Sequence, residues 1–250
     1  MSLQFSTTHD QISVNGVKVM VYGGPGMGKT VLSATMPTPL IISNESGLLS
    51  LSRSNLERIY GVNAPGVTYD SIPVILINDI QSFDEAYRFC KDSAEARQFQ
   101  SICLDSISEM AESVLNSLKR SVKDPRQAYG ELIEKMETNV RKFRDLPGKN
   151  VYISAKEGYS RDEISGITRY GPSMPGAKLG PSLPFFFDEV FRLAVNRDSQ
   201  GNTYRYLSTQ PDLQFEAKDR SGALAPIEYP HLGMVIQKIL GGQNADKVPV

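Results

Sequence analysis

Residues Gly23-Gly24-Pro25-Gly26-Met27-Gly28-Lys29-Thr30 fit the pattern G-x-x-x-x-G-K-[ST] at every fixed position. No other feature constrains the fold of this chain so strongly, because such a loop works only between a buried strand and a helix. Both flanks are present. Val17 to Tyr22 is an apolar run, and a helix is expected from Lys29 to just before Pro37. The glycines let the backbone curl so that successive N–H groups point at phosphate oxygens. The helix start adds the positive end of its dipole. Lys29 is placed to reach the β- and γ-phosphates of a nucleoside triphosphate, and the Thr30 hydroxyl to ligate Mg²⁺. The expected cofactors are ATP and Mg²⁺, bound by Gly23, Gly24, Pro25, Gly26, Met27, Gly28, Lys29 and Thr30. Adenine is assumed for the base, since no base-reading motif of the GTPase kind is present.

Ser101-Ile102-Cys103-Leu104-Asp105 is a second apolar run, and it ends in a carboxylate. At the carboxyl edge of a shared sheet, Asp105 would hold Mg²⁺ through water or Thr30. Read alone, it would be better taken as a cap of the following helix; beside a full P-loop the Mg²⁺ role is favoured. Ser106 rather than glutamate follows it, so a base that activates the attacking water must come from elsewhere. Glu45, at the end of the short buried strand Leu40 to Ser43, is the candidate. The plainer reading is a solvated loop glutamate.

The rest of the chain alternates strand and helix. A strand at Ile12 to Val14 and an Asn15-Gly16 turn precede the P-loop strand. Val74 to Ile77 reads as a strand. Ser82 is expected as the N-cap of the next helix, with Glu85 completing a capping box. Apolar spacing predicts helices over Ile107 to Lys119 and Glu131 to Leu146, the second stopped by Pro147-Gly148. Val151 to Ser154 reads as a strand. Lys156 to Pro184 is glycine- and proline-rich without a period, and is expected to be a long functional loop. Glu189 to Asn196 and Thr203 to Ser208 flank a hairpin turn, and His231 to Leu240 reads as a closing helix. This pattern predicts an α/β fold, a mainly parallel sheet flanked by helices with a C-terminal antiparallel hairpin. One domain is expected over 1–250, with 1–14 as an N-terminal segment and 241–250 as a tail.

Composition narrows the function. With 40% hydrophobic and 22% charged residues, the chain suits a soluble globular protein. No apolar run approaches the roughly 20 residues that span a bilayer, and the start lacks the order of a signal peptide. A cytoplasmic location is therefore expected, with no membrane partner. Cys90 and Cys103 fit buried free thiols, and two histidines with two distant cysteines make structural zinc improbable. A net charge of −1 means that any nucleic-acid binding must rest on local basic stretches.

The P-loop, Glu45 and the run Ile102-Cys103-Leu104-Asp105-Ser106-Ile107-Ser108 resemble the ATPase core of RecA-type recombinases. The chain is most similar to the compact RecA-like ATP-binding proteins of bacteriophages, some of which are single-strand annealing proteins. The resemblance spans roughly residues 15 to 240, although only short stretches are specific. It implies a RecA-like P-loop NTPase core and an ATPase. It also implies a homo-oligomer with ATP sites between subunits, single-stranded DNA as ligand and a single-strand-binding protein as a plausible partner. RecA-like proteins carry a basic-x-basic element that reaches a neighbour's γ-phosphate. Ala217-Lys218-Asp219-Arg220 matches it, so Lys218 and Arg220 are candidate trans fingers; a basic surface turn is the alternative. These proteins also place a polar sensor after the strand equivalent to Val151 to Ser154. Here the sensor would be Ser154 or Lys156.

Two stretches could contact DNA. Lys119 to Tyr129 carries Lys119, Arg120, Lys123 and Arg126 against Asp124, a net +3. Lys156 to Pro184 holds Lys156, Arg161, Arg169 and Lys178 against three acids, a net +1, together with Tyr159 and Tyr170. Rings interspersed with cations suit single strands, because bases stack while phosphates pair. Charged runs are also commonly solvated faces. The function expected is an ATP-dependent, DNA-binding strand-annealing protein of phage-type recombination. The alternatives are a P-loop ATPase acting on a protein client in replication or assembly, and a nucleotide-gated scaffold with little turnover. A small-molecule kinase is disfavoured, because no Arg-rich lid segment is visible.

Overall fold

A computed structural model describes residues 16–45, 48–161, 166–176 and 178–245. The strand expected at Ile12 to Val14 lies outside them. The strands are β1 (Lys18–Gly23), β2 (Pro39–Ser43), β3 (Val74–Leu76), β4 (Ser101–Asp105), β5 (Asn150–Arg161), β6 (Thr168–Ser173), β7 (Glu189–Arg197), β8 (Thr203–Ser208), β9 (Lys218–Asp219) and β10 (Ile227–Glu228). All ten join one sheet, in the order β10-β8-β7-β1-β5-β4-β2-β3, with β6 on β5 and β9 on β7. The run from β7 through β1, β5, β4 and β2 to β3 is parallel. Strands β6, β8, β9 and β10 pair antiparallel with their neighbours. This is the α/β architecture that the motifs predict, a mainly parallel sheet flanked by helices, antiparallel hairpin included.

Period-two alternation distributes the apolar side chains to the two faces. Met20, Tyr22, Ile102, Leu104 and Ile153 pack into one core. It is roofed by α3 (Ile80–Asp92), α4 (Ile107–Ser121) and α5 (Pro125–Arg144). Val19, Val21, Ile41, Cys103 and Tyr152 enter the opposite core. There they meet α1 (Lys29–Leu32) and the closing helix α7 (Leu232–Ala245). Both cysteines are buried free thiols. Among the described residues no helix is long and apolar enough to cross a membrane.

The helix after the P-loop is short. It becomes a 3-10 turn at Ser33–Thr35, where the Thr35 hydroxyl donates to Leu32 O at 2.7 Å and accepts from Leu232 N at 2.9 Å. That shared hydroxyl seats the start of α7 on the end of the P-loop helix.

The structure corrects several expectations. Helix α5 begins at Pro125, six residues before Glu131, because Asp124 caps it and proline suits its first turn. The basic stretch from Lys119 to Tyr129 is therefore mostly helical, with a tight turn at Val122 to Asp124. Helix α7 runs to Ala245, into the segment expected to be a tail. Helix α2 (Arg53–Tyr60) escaped notice because only Leu56 on it is buried.

Lys156 to Pro184 is not an irregular loop. Strand β5 continues to Arg161 and returns as β6, followed by α6 (Leu179–Ser182). The glycines that mimic a loop mark close approaches, one across this hairpin and one to Glu216. A Cβ at Gly158 would lie 2.8 Å from Ser173 Cβ, and one at Gly171 would lie 2.6 Å from Glu216 Oε2.

The cap of α3 is also reassigned. Asp79 is the N-cap and accepts from Ser82 N at 2.8 Å, while Ser82 sits at N3 and its hydroxyl accepts from Asp79 N at 3.1 Å. Asp79→Ala should lower unfolding stability by about 1 kcal/mol in denaturant titrations. The bond from Ser82 N holds the Asp79 carboxyl below its ordinary value. Its contribution is therefore present above the ordinary aspartate range and lost as pH falls through the lower folded-state value.

Candidate nucleotide-binding site

The parallel register fixes the site. Gly23 stands level with Lys156, and Ser43 with Asp105. The carboxyl ends of β1, β2, β4 and β5 therefore open on one edge, where irregular backbone can meet a ligand. A cavity of about 960 Å³ lies there. Its phosphate end holds Gly23, Pro25, Gly26, Met27, Gly28, Lys29, Thr30, Glu45, Asp105 and Lys156. Gly26 and Gly28 take φ of +70° and +103°, left-handed values that favour glycine. Gly24 is not among the lining residues but accepts from Lys29.

The Lys29 ammonium donates to Gly23 O and Gly24 O, each at 2.8 Å. These contacts stand where phosphate oxygens would take the same donors. Burial lowers its pKa, and Asp105 opposes that shift. Asp105 is itself buried and accepts from the Ser154 hydroxyl. Ser154 is thereby engaged in orienting Asp105. Lys156, the other sensor candidate, lines the cavity and pairs with Glu109 and with Glu112, the latter at 2.9 Å.

Glu45 lies two residues beyond the end of β2, where its N–H donates to Ser43 Oγ at 3.0 Å. Its pKa is raised first by burial, then by Asp105 and Glu109. Such a carboxylate is a better proton acceptor than a solvated one.

Oxygen donors from Thr30 and Asp105 suit Mg²⁺, which keeps water and phosphate oxygens for its remaining positions. Among the described residues no cluster of three or more His, Cys, Asp or Glu could hold a metal. The far end of the cavity was missed in the sequence. It is walled by Tyr60 of α2, Tyr204 of β8, and Tyr229 and Pro230, while Arg205 of β8 reaches back toward Gly28. No motif marks these residues, because they come from separate elements.

A family model described as an AAA domain matches residues 15–221. The chain belongs to this AAA domain family. Among curated proteins there is no match. Among solved structures, a KaiC-like protein from the hyperthermophilic archaeon Pyrococcus horikoshii OT3 aligns over 77% of this chain and 78% of its own, at 16% identity and a TM-score of 0.39.

In this AAA domain Lys218 and Arg220 lie apart from the P-loop cavity. Strand β9 pairs with β7 at Glu189 and Val190, level with Val19 and Met20 rather than Gly23. Lys218 Nζ donates to Pro184 O at 2.6 Å, and Arg220 pairs with Asp188 at 3.0 Å. Neither lines the cavity of its own chain.

The two basic stretches are neighbours in space. Lys119 Nζ sits 5.1 Å from the centre of the Tyr129 ring. A Cβ at Gly176, just beyond β6, would lie 3.4 Å from that same ring. Arg120, Lys123 and Arg126 are exposed around the α4–α5 turn, and Lys178 is exposed before α6. On the β5–β6 hairpin Tyr159 is 77% exposed, and Arg161 and Arg169 are exposed. Tyr170 stacks on Phe215 with ring centres 5.0 Å apart, and Arg192 lies over the Phe215 ring at 3.5 Å while pairing with Glu157 at 2.7 Å.

Glu189 is 1% exposed and its pKa is pushed up to about 8, first by burial and then by Asp219. The folded chain keeps a proton there that the unfolded chain has released. Stability should therefore fall as pH rises from the ordinary glutamate range to about 8. Glu189→Gln cannot ionise and should flatten that fall, read from denaturation midpoints at about pH 5, 7 and 8.5.

Proposed function

We propose that this AAA domain binds MgATP in the P-loop cavity, hydrolyses it, and grips single-stranded DNA on the β5–β6 hairpin and the adjoining α4–α5 turn. The observation that carries the hydrolysis reading is the convergence of Lys29, Asp105 and Glu45 on one cavity. Lys29 would exchange its loop carbonyls for the terminal phosphates, and the P-loop N–H groups would take the remaining oxygens. Mg²⁺, when bound, neutralises charge that develops on those oxygens. Thr30 and Asp105 would hold it, with Ser154 fixing the Asp105 carboxylate. Glu45 accepts the proton of the attacking water. Lys218 and Arg220 lie apart from their own cavity, which supports their service in trans. In a homo-oligomer they would reach a neighbour's γ-phosphate and tie hydrolysis to assembly.

The DNA reading is supported by the hairpin's origin. It rises from Lys156 at the cavity wall and carries an exposed ring among cations, with the basic α4–α5 turn alongside. Strand annealing in phage-type recombination, with a single-strand-binding protein as partner, is the role this combination favours. The chain's small net charge implies modest, salt-sensitive affinity that assembly would strengthen.

Glu45→Gln should lower the hydrolysis rate at saturating ATP about 100-fold or more while leaving ATP affinity within a few-fold. Lys29→Ala should lose ATP binding. Unimpaired turnover in Glu45→Gln would remove it as the base.

A fluorescent single-stranded oligonucleotide at low salt, titrated with and without ATP and Mg²⁺, tests the second half. Binding should require nucleotide, vanish in Lys29→Ala, and weaken about tenfold in Tyr159→Ala. No binding in any nucleotide state would leave the ATPase reading intact and point to a protein client.

A further inference from the structure

Four cations line the cavity: Lys29, Arg58, Lys156 and Arg205. Three are engaged by the protein. Lys29 donates to its own loop, Lys156 pairs with Glu109 and Glu112, and Arg58 Nη2 donates to Asn55 Oδ1 at 2.7 Å. The Arg205 side chain has no hydrogen-bond or ion-pair partner among the described residues. An arginine held over a phosphate-binding loop without an acid beside it is a ready anion contact.

Its position is set by the fold. Strand β8 pairs with β7, opposing Arg205 to Val195. Strand β7 in turn lies against β1, close enough that a Cβ at Gly23 would come within 2.7 Å of Leu193 O. Arg205 therefore reaches the P-loop at Gly28. Its Nε and Cδ lie 3.8 and 3.9 Å from where a Cβ would stand at Gly28, the residue before Lys29.

In the sheet order, β7 and β8 flank β1 on one side, and β5, β4 and β2 lie on the other. Asp105 and Glu45, which define the reacting end, belong to the second side. Arg205 approaches from the first, on the same side as Tyr204 and Tyr229 at the cavity's far end.

We propose that Arg205 is a cis clamp on the diphosphate common to ATP and ADP, closing the P-loop from the flank opposite Asp105. This rests on the nucleotide-binding reading of the same cavity. A guanidinium presents a planar fork that takes two phosphate oxygens at once, which an ammonium cannot reproduce. The clamped groups do not react, so ground and transition states are held alike. Such a contact sets affinity and KM rather than the rate of the chemical step.

The experiment measures MgATP and MgADP affinity by calorimetry, and steady-state hydrolysis, for the full chain as wild type, Arg205→Ala and Arg205→Lys. Arg205→Ala should weaken both nucleotides by about tenfold and raise KM to match, with kcat within about twofold. Arg205→Lys should recover only part of the loss. Unchanged ADP affinity in Arg205→Ala overturns the clamp. So does a fall in kcat with ADP affinity intact, which would assign Arg205 to the γ-phosphate. Arg205 is exposed, and a thermal midpoint equal to wild type checks folding. Arg205→Lys keeps the packed stem and gives the same reading should the alanine variant unfold. Wild type that binds neither nucleotide defeats the nucleotide reading itself, whereas wild type that binds both with Arg205→Ala unaffected defeats only the clamp.

Discussion

Strand β1 lies between β5 and β7 in a register that sets Gly23 level with Lys156, and the candidate chemistry depends on that alignment. A slip of one residue would turn every side chain of β1 to the other face and empty both cores at once. Met20 and Tyr22 serve one core and Val19 and Val21 the other, all fully buried. Hydrophobic packing on two faces thus fixes the height at which the P-loop leaves the sheet. Strand β4 is held by the same logic through Ile102, Cys103 and Leu104, so Asp105 emerges at the matching level. The geometry of the polar site follows from an apolar register.

The parts legible in the sequence are those whose chemistry is local. The P-loop needs contiguous residues, so Gly23 to Thr30 could be recognised in one reading. Asp105 could be recognised because an apolar run delivers it. Strands buried on both faces read as continuous apolar runs, which is why β1, β2 and β4 stood out. The β5–β6 hairpin was obscured because its glycines serve close approach. Gly158 and Gly171 oppose each other across the ladder, and each looks like a loop residue until its neighbour is known. Asp79 lost the cap to Ser82 in the reading because both residue types cap helices well. The far wall of the cavity was invisible for another reason: Tyr60, Tyr204 and Tyr229 are brought together by the tertiary fold.

The cations around the phosphate end are held differently, and that difference has energetic meaning. Lys29 is partly buried against its own loop carbonyls, which are weaker partners than phosphate anions, and burial lowers its pKa. Lys156 has two carboxylates, which raise its pKa. Releasing Lys29 from its loop therefore costs less in lost contacts than releasing Lys156 from Glu109 and Glu112. The first is the more readily recruited by an incoming anion. The second yields only to an anion strong enough to compete with an acid pair.

Ser108 ties the Lys156 backbone to the helix after Asp105. Buried in the first turn of α4, its hydroxyl accepts from Lys156 N at 2.9 Å and donates to Ser173 O at 2.6 Å. Lys156 and Ser173 are the paired residues at the base of the β5–β6 hairpin. One buried hydroxyl therefore joins the helix that follows Asp105 to both strands of the hairpin. The connection is short and lies in a packed region, where displacements are transmitted rather than absorbed. Lys156 thus stands both at the cavity wall and on the backbone that carries Tyr159 and Arg161 outward, three residues before the first exposed ring.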